Sequence, residues 1–208
     1  MKEDKLIDLL RTCSNAGKWG LDDGRGTLNY VTPDVVIDAV RTVTAGRVVS
    51  LGHDLDTTAS RKNPDPMVHR MRFAGYSGAI GALDDVDITP HGFGVTHLDA
   101  IAHVFFEGRA YNGHAAADVV TNAGMTYGSI HGLADGFVTR GVLLDIARAR
   151  GIAYLSPTDG VTPADLERAE SLGGVRVQRG DAIFIRVGLG AREAVEGIEE
   201  PSVRAGVT

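Results

Sequence analysis

Apolar residues recur at helical spacing in three stretches of the chain. Leu6, Leu9, Leu10 and Cys13 lie three and four apart and predict a helix over residues 4–13. In "TPDVVIDAVRTV", Thr32 can cap, Pro33 fits the first helical position and Asp34 favours the positive helix end. Val36, Ile37, Val40 and Val43 form its apolar stripe, and Gly46 is the expected stop. "TPADLERAESLGG" repeats the pattern with Thr162, Pro163 and Asp165 at its start and Gly173 as its cap. Shorter apolar stretches read as strands: "RVVSLGHDL" (47–55), "MVHRMRF" (67–73), and the buried type in "GVLLDIA" (141–147) and "DAIFIRVG" (181–188). "HGFGVTH" reads as extended up to the histidine. Residues 17–29 and 57–66 read as loops, and 113–123 and 126–134 show no clear period. Helices and strands mix without a regular βαβ alternation, which predicts an α/β or α+β sandwich in one domain spanning 1–208.

Composition narrows the function. A formal net charge of −6 and the lack of any basic cluster argue against a nucleic-acid surface. No apolar run reaches the roughly 20 residues of a membrane span. The N-terminal "MKEDKLIDLL" has no signal-peptide pattern, so a cytoplasmic protein is expected. The single cysteine, Cys13, excludes an internal disulfide and a cysteine-based zinc site; on the apolar side of a helix it is expected to be a buried thiol. No glycine-rich nucleotide motif occurs.

The chemistry concentrates in "GFGVTHLDAIAHV" (92–104). On a strand His97 and Asp99 point to one face. If the chain turns helical after Asp99, His103 lies one turn further on the same face. Imidazole and carboxylate suit zinc or manganese, and a basic group beside them can move protons. The same spacing also fits a His–Asp pair that only locks a corner of the fold. His53, His69, His114 and His131 have weaker claims. Tyr111 and Asn112, in "YNG", read as a turn rather than site residues, and Trp19 as a core aromatic or the cover of a pocket.

"THLDAIAH" resembles the signature of the cyclase family that includes bacterial kynurenine formamidases and isatin hydrolase. That signature runs His, any residue, Gly, Thr, His, any residue, Asp, a short spacer and His. "KWGLDDGRGTLN", "EGRAYNG", "TRGVLLDIA" and "GDAIFIRVG" resemble, in order, segments of a longer-chain bacterial branch. The resemblance implies a compact α/β fold with a central mixed β-sandwich or barrel flanked by helices. It implies divalent metal, Zn or Mn, and hydrolysis of a small-molecule amide, lactam or lactone. It gives His97 and Asp99 as metal ligands and His103 as the proton-transfer residue.

Two departures stand out. In ungapped register Phe93 replaces the first histidine and Val95 the glycine. His91 is the nearest substitute, but six residues of straight strand span about 20 Å. It reaches the same ion only if Gly92 and Gly94 let the backbone turn. The family also continues past the "DAIFIRVG" strand with a further histidine and glutamate. Here His131 is the last histidine, and Glu193, Glu196, Glu199 and Glu200 lie in an unrelated polar stretch. A C-terminally shortened chain is therefore expected, metal-poor and weakly active, with a bare sheet edge that pairs with another chain as a homo-oligomer. The rival expectation is an inactive scaffold that acts through association.

Overall fold

The computed structural model describes residues 3–72, 76, 78–197 and 204–207. In chain order, α1 (Glu3–Cys13) is followed by a 3₁₀ turn (Gly26–Tyr30), α2 (Pro33–Arg41) and the antiparallel pair β1 (Val68–Met71) and β2 (Asp84–Asp87). Two 3₁₀ turns, Ile101–His103 and Tyr111–Gly113, lead to α3 (Ala116–Val119), the hairpin β3 (Val120–Thr121) and β4 (Gly124–Met125), and a 3₁₀ turn at Ile130–Leu133. The C-terminal half holds β5 (Gly141–Asp145), α4 (Ile146–Ala149), β6 (Gly160–Val161), α5 (Pro163–Gly173), β7 (Ala182–Arg186), α6 (Leu189–Glu196) and β8 (Gly206–Val207). β5 pairs with β7 and β6 with β8, both parallel.

All three predicted helices form, and their caps explain their ends. Thr32 Oγ1 accepts from the Val35 amide at α2. Thr162 and Asp165 make a reciprocal capping box at α5, with Asp165 Oδ2 accepting from the Thr162 amide at 2.9 Å. The α5 cap is Gly174, with φ +61°, rather than Gly173. α2 stops at Arg41, well before Gly46, because the Thr42 hydroxyl donates to the Ala39 carbonyl at 2.7 Å and takes over the last turn.

The strand expectations fare less evenly. Residues 47–55 form no strand; among the described residues no ladder pairs with them, and Val48 is 99% exposed. "HGFGVTH" bends instead of running extended. β5 and β7 lie where expected but are not buried on both faces. Val142 and Leu144 face the core, whereas Leu143 and Phe184 stay exposed. The β5–α4–β6–α5–β7 stretch is a parallel crossover unit that the uneven pattern did not predict. Among the described residues the strands make four two-stranded sheets, and no barrel closes.

Among the described residues two apolar clusters form the core. The larger gathers Val142, Leu144, Ile146, Leu155, Val161 and Ala169 between β5 and the helices α4 and α5. Leu144, Ile146 and Val161 are fully buried, worth about 1.5–3 kcal/mol each. The smaller joins Ala102, Ala110 and Val119 to Met125 and Tyr127. Ala102 sits inside the 3₁₀ turn that carries His103, so this cluster anchors one side of the site. Cys13 is exposed, contrary to expectation. It lines an open apolar groove of about 680 Å³ with Leu9, Leu10, Ile101 and Phe105.

Candidate metal centre

The bend at 91–95 brings three ligand-type side chains together. His91 Nδ1 lies 3.2 Å and His97 Nε2 3.3 Å from Asp99 Oδ1. The ligand-type atoms of His91, His97 and Asp99 all fall within 4.8 Å of one another. His103 Nε2 lies 3.9 Å from the other oxygen, Asp99 Oδ2, and its ring stacks on His91 at 4.6 Å, nearly parallel. His103 ends the 3₁₀ turn Ile101–His103, and Asp99 lies just before the extended Ala100 that caps that turn.

His91 joins because the backbone turns at the two glycines. Gly92 has φ +151°, a value side-chain-bearing residues rarely adopt. At Gly94 a Cβ would sit 2.9 Å from Asn63 Oδ1, so the loop can lie on Asn63 only without a side chain there. Asn63 is buried and fixed, its Nδ2 donating to the carbonyls of Asp56 and Thr58. His53 adds a backbone link, its amide donating to Thr96 Oγ1 at 3.1 Å. The supporting role of Asn63 was missed in the sequence; the Asn-Pro pair at 63–64 marks a turn but not what rests on it. Phe93 is no ligand: its ring lies 4.3 Å from the Arg204 guanidinium.

The hydrogen bonds of His97 bear on what the cluster can hold. Its Nδ1 lies 2.9 Å from the Val95 carbonyl, an acceptor only, so Nδ1 carries the proton and donates. A neutral His97 then turns the lone pair of Nε2 toward a carboxylate oxygen 3.3 Å away. Two acceptors face each other unless a proton or a cation lies between them. Ligand atoms at about 2.1 Å from one tetrahedral ion lie about 3.4 Å apart, close to the two contacts seen. The donor set therefore fits a divalent cation. The site is open: the Asp99 and His103 side chains are 43% and 44% exposed.

The other candidates lie elsewhere. His69 pairs with Asp84 across β1 and β2. The His114 ring lies tilted against Tyr127, 3.9 Å between ring centres, and its Nε2 contacts the Leu21 carbonyl. His131 is in an exposed 3₁₀ turn. Glu193 pairs with Lys62 and Glu196 with Arg192; Glu199 and Glu200 fall outside the described residues. The "YNG" segment is a turn, with Asn112 at φ +59°. Its side chains also clamp loop 17–24. Asn112 Oδ1 accepts from the Gly17 amide, and Tyr111 donates to Asp23. Burial pushes the Asp23 carboxyl up, but hydrogen bonds from Asn29 and the Gly26 and Arg25 amides outweigh it and hold it low. Burial, then the Asp23 charge, pushes the Tyr111 phenol up to about 12. This clamp packs Gly26 against Ile101, beside His103: a Cβ on Gly26 would meet Ile101 Cδ1 at 2.3 Å.

Comparison with known proteins bears on the family and the fold. The sequence matches the model of the Cyclase family, described as "Putative cyclase", over residues 49–207. A crystal structure of a novel cyclase superposes with a TM-score of 0.82 at 29% identity, covering 94% of this chain and 70% of that one. No curated protein matches the sequence. Among the described residues no helix is long and apolar enough to cross a membrane. With most of its length matched and the fold shared, the chain belongs to the Cyclase family.

Proposed function

We propose that the protein is a metal-dependent hydrolase of a small amide, lactam or lactone, of the arylformamidase type. The observation that carries the reading is the convergence of His91, His97 and Asp99 with His103 on the far carboxylate oxygen. His91 Nδ1, His97 Nε2 and Asp99 Oδ1 would hold the ion. A divalent ion bound there supplies Lewis acidity toward a carbonyl oxygen and lowers the pKa of water. Val95, through its carbonyl, fixes the His97 tautomer that leaves Nε2 free. His103 Nε2 takes a proton from the attacking water or returns one to the leaving group, and Asp99 Oδ2 orients it.

The test is an assay on an aryl formamide with added manganese or zinc. The wild type is expected to turn over, a chelator to stop it, and His103→Gln to lower kcat by about 10²–10⁴-fold with the metal still bound. Turnover unchanged in His103→Gln would remove His103 from the chemistry.

A further inference from the structure

The proposed reaction gives no role to two residues that hold the 91–95 bend, Asn63 and Phe93. Gly94 rests on Asn63: a Cβ there would meet Asn63 Oδ1 at 2.9 Å and its Cβ and Cγ at 3.1 Å. Phe93, the preceding residue, lies under the Arg204 guanidinium, 4.3 Å from the ring centre.

Both supports are fixed from elsewhere in the fold. Asn63 is 7% exposed. Its Nδ2 donates to the Asp56 and Thr58 carbonyls at 3.0 and 3.2 Å, its amide donates to Ser60, and its carbonyl accepts from the Ser60 amide at 3.0 Å. The neighbouring Lys62 pairs with Glu193 of α6 at 2.9 Å. Arg204 leads into β8, which pairs with β6. The bend itself has little of its own to hold it. Among the described residues no ladder includes it, and it contains Gly92 and Gly94. Glycine-containing loops lose much conformational freedom when fixed, and contacts from outside must offset that loss. Yet the cluster depends on the bend, because six residues of straight strand would part His91 from His97 by about 20 Å.

We propose that Asn63 and Phe93 are positioning residues that pre-form the 91–95 bend, so that His91 stands at Asp99 before an ion arrives. They act on metal affinity through His91. Without them the ion must select the bent loop from other conformations, and the apparent affinity falls with the fraction of chains that hold it. The proposal rests on reading the cluster as a metal centre.

Zinc affinity of the full chain is measured by competition with a chromophoric chelator. The chains compared are the wild type, Asn63→Ala, Phe93→Ala, and the same two changes in a His91→Asn background. Asn63→Ala and Phe93→Ala are each expected to weaken zinc by about tenfold or more, the scale of lost outer contacts at metal sites. In the His91→Asn chain, already weakened, each is expected to change affinity by less than about twofold, since residues acting through one another are not additive. Phe93 is 48% exposed, so Phe93→Ala tests the proposal even where Asn63→Ala does not fold. The proposal is overturned if Phe93→Ala binds zinc as tightly as the wild type. It is equally overturned if either change weakens zinc to the same degree with and without His91, which would mean general damage to the site. Both results leave the metal reading standing. A wild type that takes up no zinc overturns that reading, and this proposal with it.

Discussion

Asp99 is the hub of the cluster, facing His91 and His97 through one oxygen and His103 through the other. Asp99→Asn keeps the volume and removes the charge that a divalent ion requires. Since loss of a group one shell further out already costs 10–100-fold in metal affinity, loss of a direct ligand is expected to cost about 100-fold or more. His114→Asn, which removes a ring packed against Tyr127 away from the cluster, is expected to leave metal affinity unchanged. Equal metal content in the two variants, by elemental analysis after dialysis, would count against the assignment. At this scale the sequence was partly legible. The two-residue step from His97 to Asp99 and the turn to His103 follow from local spacing. His91 does not, because its approach depends on the φ of Gly92 and on Asn63 filling the space where a Gly94 side chain would stand. Cys13 misled because a helical stripe predicts an apolar side but not whether anything covers it.

Helices were the most legible elements, since their caps are written locally. α5 shows what one such cap is worth. Asp165 is buried, closes the capping box, and takes the Arg150 guanidinium bidentately at 2.9 and 2.6 Å. The Arg150 hydrogen bond first, then those from Thr162, holds its carboxyl far below the ordinary range. A depressed folded-state pKa contributes stability that is present above the unfolded value of about 3.9 and lost as pH falls through the folded one. Thermal unfolding of wild type and Asp165→Asn should therefore differ most at pH 5 and above, and converge as the pH is lowered below 4. Parallel curves across that range would show that the pair adds no pH-dependent stability. Strands were less legible because a ladder needs a partner that local pattern does not name. Residues 47–55 have a strand-like composition and no ladder partner among the described residues. The acidic "DDVD" of β2 gave no apolar signal, yet pairs with β1 through His69–Asp84 and Arg70–Asp87, and with Arg72 just past β1 through Asp85.

For the whole molecule, order of motifs carried further than any single element: segments resembling one family lie in sequence, and the shared fold follows. What pattern could not show is how the sheets are covered. Parallel sheets are normally covered on both faces, and a two-stranded sheet alone is marginal. In β5–β7 one face meets α4 and α5, while the other presents Leu143 and Phe184, directly paired in register and 58% and 43% exposed. A second copy of the chain is expected on that face. By light scattering the 208-residue chain should then run above its 22.0 kDa monomer mass. Leu143→Lys with Phe184→Lys should return it to monomer mass with its circular dichroism intact, since both side chains stand outside the core. A wild type that is monomeric at high concentration, or a double variant that still associates, would mean that this face is not where copies meet.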